Sequence, residues 1–209
     1  MGFRHAVFLF LILISSSLFS KNTIQKPQTI STHRLQDFRK NSPAVQRLIT
    51  SALSLAQRNL GYRYGSADPR RGGMDCSGTV YYLLTTMGVK GVPRSSDSLY
   101  RWVLQKGRFH AVKGNRFSFF GFSHLKPGDI LFWNGTYRSH RKMSASHVMI
   151  YLGKDKASGH LLMVGASNGR TYRGRQVYGV SVFDFQLPRG RDRSQFLGYS
   201  CIPQISCSR

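Results

Sequence analysis

The spacing of apolar residues changes once along this chain, and that change limits the fold more than any other feature. Ser42-Pro43 reads as an N-cap followed by proline at the first helical position. Ala44, Val45, Leu48, Ile49, Ala52, Leu53, Ala56 and Leu60 then recur at helical spacing, and Gly61 ends the run. A second helix is expected from Cys76 to about Met87-Gly88. A third follows Val92-Pro93-Arg94-Ser95-Ser96, with Ser95 or Ser96 as its cap, Asp97 in its first turn and Leu99, Trp102 and Val103 buried. After the turn signal Leu125-Lys126-Pro127-Gly128-Asp129 the helical period is lost. Short apolar runs take over at Ile130–Trp133, Val148–Leu152, Leu161–Ala166, Gly179–Phe183 and Phe196–Ile202, with a basic, polar loop from Tyr137 to Ser146. Helices first and strands afterwards predict an α+β domain whose N-terminal helices pack on an antiparallel β-sheet.

Residues 42–209 suffice for one such domain, and no internal repeat divides them. Lys21–Asn41 is polar without a clear period and reads as a linker or extended arm. The first 20 residues read as an export signal: Arg4 and His5, an apolar run from Ala6 to Ile14, then small residues at Ser15, Ser16, Ser17 and Ser20. The run is too short to span a bilayer, which takes about 20 apolar residues. A periplasmic, cell-envelope or secreted location is expected, with no stable membrane anchor after cleavage.

The net charge is +23, from 31 Lys+Arg against 8 acids, and all the acids are Asp. The partner is therefore expected to be anionic. The basic residues sit in loops (Arg70-Arg71, Arg138 to Lys142, Arg170 to Arg175, Arg189 to Arg193) rather than along one amphipathic helix, and no nucleic-acid motif accompanies them. Nucleic acid is accordingly not expected as a partner. The acids are too few for a magnesium-type cluster, and the histidines and cysteines show no Cys-x-x-Cys or His-Glu-x-x-His spacing. No cofactor and no metal is expected.

The chemistry concentrates at Asp75-Cys76-Ser77-Gly78, where a Gly-rich loop runs into an apolar helix. A helix N-terminus carries unpaired N–H groups and about half a positive charge, and both favour thiolate, the nucleophilic form of cysteine. His147 opens a strand much later in the chain. A cysteine at a loop-to-helix junction with a histidine at a strand start outlines a cysteine hydrolase. Cys201 and Cys207 are close enough in sequence to bridge and leave Cys76 as the odd thiol; the alternative is that both stay free.

Several motifs resemble those of the NlpC-type family of bacterial cell-wall peptidases, and they occur in that family's order. They are Gly61-Tyr62-Arg63-Tyr64-Gly65, Met74-Asp75-Cys76-Ser77-Gly78-Thr79-Val80, Val92-Pro93-Arg94-Ser95-Ser96, Leu125–Phe132, and Ser146-His147-Val148-Met149-Ile150-Tyr151-Leu152-Gly153. The resemblance extends over roughly residues 45–202, most of the chain that follows the expected leader. The resemblance implies a compact papain-like fold and hydrolysis of amide bonds in peptidoglycan stem peptides, the D-glutamyl–diamino acid bond above all. It makes Cys76 the nucleophile that forms a thioester and His147 its acid–base partner. The Cys76 N–H and the Tyr64 hydroxyl would face the oxyanion, and Asp75, Ser77, Arg94 and Ser95 would shape the substrate-binding end of the groove. The basic loop at Arg138–Lys142 would attract anionic wall groups.

The sequence departs from the family at one position. A third polar residue, usually histidine, orients the catalytic imidazole from the next strand. Pairing the two apolar runs about Lys156 sets Gly165 opposite His147, and glycine has no side chain. Ser167, Asn168, a main-chain carbonyl or a water remain as orienters. The departure also keeps two other readings open: a weak or inactive wall-binding module on the same fold, and an acyltransferase using the same Cys–His pair.

Overall fold

The computed structural model describes residues 24–114, 116, 117, 119–138 and 143–207. The expected leader, the start of the arm, and Ser139–Lys142 of the basic loop lie outside the described residues. Helix α1 spans Pro43–Gln57, α2 Cys76–Thr86, α3 Ser96–Lys106, and a single turn, α4, Phe119–Phe122. Strands β1 (Gly61–Tyr62) and β2 (Gly73–Met74) form a short parallel pair. The main sheet is built from β3 (Phe109–Ala111), β4 (Ile130–Asn134), β5 (His147–Lys154), β6 (Leu161–Ser167), β9 (Gly179–Asp184) and β10 (Gln195–Ser200). A small hairpin, β7 (Thr171–Tyr172) and β8 (Arg175–Gln176), projects between β6 and β9. The main sheet runs in the order β3-β10-β4-β5-β6-β9 with every neighbouring pair antiparallel.

The α+β architecture expected from the sequence is the one observed. Ser42 caps α1 by accepting from the Val45 N–H, and Pro43 fills the first helical position, where no amide donor is needed. Val45, Leu48, Ile49, Ala52, Leu53 and Ala56 form the buried stripe of α1, which packs on β6 and β9, while α2 covers β5 and β6. All of Ile130–Trp133 is buried, because β4 is covered on both faces. Phe132 meets Tyr100 of α3 and Phe109 of β3 edge-on; Trp133 packs against Phe185 and Phe196. Strand β3 and the β1–β2 pair carry no alternation long enough to be read from the sequence; pairing with neighbours makes them strands.

One expectation of register is corrected. Ile150 pairs with Val164 and Tyr151 with Met163, with a bulge before the Gly153–Leu162 pair. Gly165 therefore sits beside Met149, whose Cγ lies 3.1 Å from where a Gly165 Cβ would stand, and not across from His147. The turn is the cause. Asp155 N–H donates to the His160 carbonyl and Gly159 N–H to the Asp155 carbonyl, so the reversal centres beyond Lys156. The slip is two residues. The faces keep their assignment but every partner slides along the strand.

Residues 24–41 lie along the domain as an extended strap. Gln28 donates to Ser181 Oγ and its carbonyl accepts from Val182 N–H, extending the β9 edge, and Ile30 and Leu35 are buried. Arg34 forks onto the Asp155 carboxylate at 3.1 and 2.5 Å. Burial alone would raise the Asp155 pKa; the Arg34 fork, with Ser158 Oγ, holds it below the ordinary carboxylate range instead. Cys201 and Cys207 are joined by a disulfide, which closes the chain after β10 and leaves Cys76 the free thiol among the described residues.

Arg34→Ala should lower stability by about 2 kcal/mol at neutral pH, by leaving the buried carboxylate without its charged partner. A depressed carboxylate stabilises above its unfolded-state pKa, and that contribution is lost as pH falls through the folded value. The gap between wild type and Arg34→Ala in thermal melts should therefore close as the pH is lowered below the carboxylate range.

Candidate active site

Cys76 is the first residue of α2, and the carboxylate of Asp75 builds the platform beneath it. Asp75 Oδ1 accepts from the Gly78 N–H at 2.6 Å, the N-cap bond that starts the helix. Asp75 Oδ2 accepts from the Gly65 N–H at 2.7 Å, which draws in the loop after β1. The Arg94 guanidinium then forks onto both oxygens at 3.1 and 3.0 Å and also donates to Ser77 Oγ at 3.0 Å. Gly78 has a steric reason: a Cβ there would run into the Ser66 carbonyl oxygen, so only glycine lets the loop lie against the helix.

The thiol is 6% exposed. Burial pushes its pKa up. The Ser96 hydroxyl, 3.5 Å from Sγ, opposes this, while the Asp75 charge adds to it, and the amides of Val148 and Ser77 pull the other way. Val148 follows His147 in β5, so the sulfur already lies against the strand that carries the histidine. Asp97, next to Ser96 in α3, accepts from the backbone N–H groups of Ser144 and Ala145 and is ion-paired with Arg101. The start of α3 thus touches the sulfur through Ser96 and holds the approach to His147 through Asp97.

His147 is buried beside its cross-strand partner Trp133, ring centroids 5.7 Å apart. Its Nε2 accepts a 3.1 Å hydrogen bond from Nε of Arg170, and the Arg170 guanidinium stacks 4.0 Å above the Trp133 ring. Burial and the neighbouring guanidinium keep the imidazole pKa well below the ordinary histidine value. Desolvation also brings Arg170 down to about 10, with the Cys76 sulfur pulling it back up. Sequence reasoning missed Arg170. It had been counted only as part of a basic loop, and its distance from His147 in the chain carries no periodic signal.

A cleft of about 970 Å³ opens over His147 and Arg170. Tyr62, Tyr64, Tyr137, Arg189, Arg191 and Arg193 are among the residues that line it. Among the described residues none of these three guanidiniums is ion-paired.

Several expected roles change place. Asp75, Ser77, Arg94 and Ser95 do not line this cleft. The first three spend their polar atoms on the brace under Cys76, and Ser95 caps α3 by accepting from the Ser98 N–H, while Ser96 is the residue that reaches the sulfur. Tyr64 stands 78% exposed at the rim. Tyr62 is the half-buried phenol whose ionisation is opposed first by burial and then by the Cys76 sulfur. Ser167 Oγ accepts from the Gly169 N–H, and the Asn168 carbonyl accepts from Gln176. Among the described residues neither bonds to His147, which takes its hydrogen bond from Arg170.

The family model for NlpC/P60 matches residues 59–177, a stretch that contains Cys76, His147 and Arg170. The chain belongs to the NlpC/P60 family. It is similar to murein DD-endopeptidase MepH of Escherichia coli (strain K12), 31% identical over 114 residues. That alignment takes in 54% of this chain and 36% of the relative, so the chain spans about a third of the length of the protein it matches. The matched stretch contains the brace at the start of α2, the histidine at the head of β5 and the arginine that donates to its imidazole.

Asp75→Ala removes the helix cap, the Gly65 anchor and the Arg94 fork together and should cost about 3 kcal/mol. Ser77→Ala, which removes one hydroxyl from the edge of the brace, should cost about 1 kcal/mol. Urea unfolding of the two variants measures the difference.

Proposed function

We propose that this protein is an exported cysteine-type peptidoglycan hydrolase that cuts an amide bond in the stem peptides. The observation that carries the reading is the buried Cys76 at the start of α2, set against the head of β5 where His147 opens onto a cleft. Membership of the NlpC/P60 family and similarity to a murein DD-endopeptidase support the substrate class. The leader-like residues 1–20, followed by the arm 21–41 and a domain over 42–209, support export, and so does the Cys201–Cys207 disulfide.

In this reading the Cys76 thiolate attacks the amide carbonyl carbon and His147 supplies the proton that leaves with the amine. Water then hydrolyses the thioester. The Cys76 N–H at the helix start faces the oxyanion, with a cleft tyrosine as second donor; one such donor is worth about 3 kcal/mol at the transition state. Arg189, Arg191 and Arg193 receive the carboxylates of the stem peptide in the cleft. The scissile bond is D-glutamyl–diamino acid, as the family resemblance implies, or the DD bond suggested by the relative's name.

The test is incubation of the mature chain with purified peptidoglycan fragments, with products read by mass spectrometry. Wild type should release a new amine terminus whose mass names the bond. Cys76→Ala should release none, and His147→Ala should be slower by about 10² or more. Fragments that bind but stay intact with wild type would replace the hydrolase with a wall-binding module, and transfer of the acyl group to an added amine would make it an acyltransferase. Replacing Arg189, Arg191 and Arg193 by Gln should raise KM about tenfold at low salt, with a smaller effect at high salt where the charges are screened.

A further inference from the structure

We infer that Arg170 is the positioning residue of this site and that it, rather than an imidazolium, carries the positive charge opposite the Cys76 thiolate. The inference rests on Cys76 and His147 being the reacting pair. Its geometric ground is the direction of one hydrogen bond. Arg170 Nε–H donates to His147 Nε2 at 3.1 Å, and a guanidinium has donors and no acceptor. An orienting histidine, asparagine or glutamine can accept a hydrogen bond from an N–H at this nitrogen. Arginine cannot, so Nε2 must present its lone pair. The neutral ring then holds its single proton on Nδ1. Protonating Nε2 would set two N–H groups against each other with a cation alongside.

The surroundings hold Arg170 in that place. Its guanidinium stacks on Trp133, which is fully buried and is itself the cross-strand partner of His147. The ring and the donor are therefore fixed to the same pair of strands. Among the ionisable groups around the pair, Asp75 is ion-paired with Arg94, and burial keeps the phenols of Tyr62 and Tyr137 protonated. Tyr64, Asp184, Asp192 and the guanidiniums of Arg189, Arg191 and Arg193 line the cleft onto which His147 opens. Asp75, Tyr62 and Tyr137 provide no positive charge to the sulfur. Burial lowers the guanidinium pKa, and the Cys76 sulfur opposes that in part, the sign expected for a cation near a forming thiolate.

The proton count closes over a turnover. As the C–N bond breaks, the Nδ1 proton goes to the leaving nitrogen and the Arg170 Nε proton follows to Nε2. The imidazole stays neutral on its other tautomer and the guanidine is briefly neutral. When water attacks the thioester its proton goes to Nδ1, the Nε2 proton returns to Arg170, and the C–S bond breaks to restore the thiolate. Desolvation lowers the guanidinium pKa, which favours release of its proton to Nε2.

The experiment is the pH profile of Cys76 alkylation by iodoacetamide on the full chain, which needs no substrate and so stands or falls apart from the cleavage assay. Cys76→Ala serves as the control for the disulfide cysteines. Wild type should show one ionisation, that of the thiol. Arg170→Ala should alkylate at least tenfold more slowly at neutral pH and gain a second step in the histidine range, while Arg170→Lys should recover most of the rate. A second measurement uses the wild-type protein alone: nitrogen chemical shifts of His147 should report a neutral ring with the proton on Nδ1 down to pH 5. An Arg170→Ala profile that superimposes on wild type, or an imidazolium forming above pH 6 in wild type, overturns the inference.

Discussion

The Asp75 carboxylate accepts from the Gly65 and Gly78 amides, the Ser77 hydroxyl and both terminal nitrogens of Arg94, and the active-site end of the molecule is organised around it. These donors come from the loop after β1, the first turn of α2 and the segment before α3. A chain with so few acids among so many bases has little choice of counter-charge, and here one is spent to join three pieces of backbone. With the carboxylate engaged by Gly78, α2 can begin at Cys76 with the Ser77 amide directed at the sulfur.

The second half of the site is tied in through the start of α3. Ser96 touches the sulfur, and Asp97 gathers the Ser144 and Ala145 amides just before His147. Burial alone would raise the Asp97 pKa, and Arg101 with the two amides more than offsets it, so the carboxylate stays charged and keeps both donors. One helical turn thereby ties the Cys76 sulfur to the segment that leads into His147. Local capping chemistry, which elsewhere only ends a helix, here couples two elements that share no hydrogen-bond ladder.

Much of this was legible in the residues. The Ser42-Pro43 start of α1, the stripe Val45–Ala56, the helix beginning at Cys76 and the order of helices before strands all follow from local rules that act within a few residues. The assignment of Gly165 to the place opposite His147 failed for a different reason. Strand pairing depends on where the turn centres and on the bulge before Gly153, and a two-residue slip leaves the alternation of faces untouched, so the apolar pattern is blind to it. The brace is only half legible for a similar reason: whether the polar atoms of Asp75, Ser77 and Arg94 face a ligand or each other depends on how the α3 segment folds back over α2.

By itself, the sequence determined the fold class, the helix that presents Cys76 and the strand that begins at His147, because caps, periodicity and turn residues are short-range effects written in consecutive positions. The tertiary structure decided the third member of the array. Arg170 reaches His147 from a bend beyond β6 only after the sheet has stacked Trp133 beneath its guanidinium. A contact of that kind is held by packing between strands distant in sequence, and no spacing along the chain encodes it.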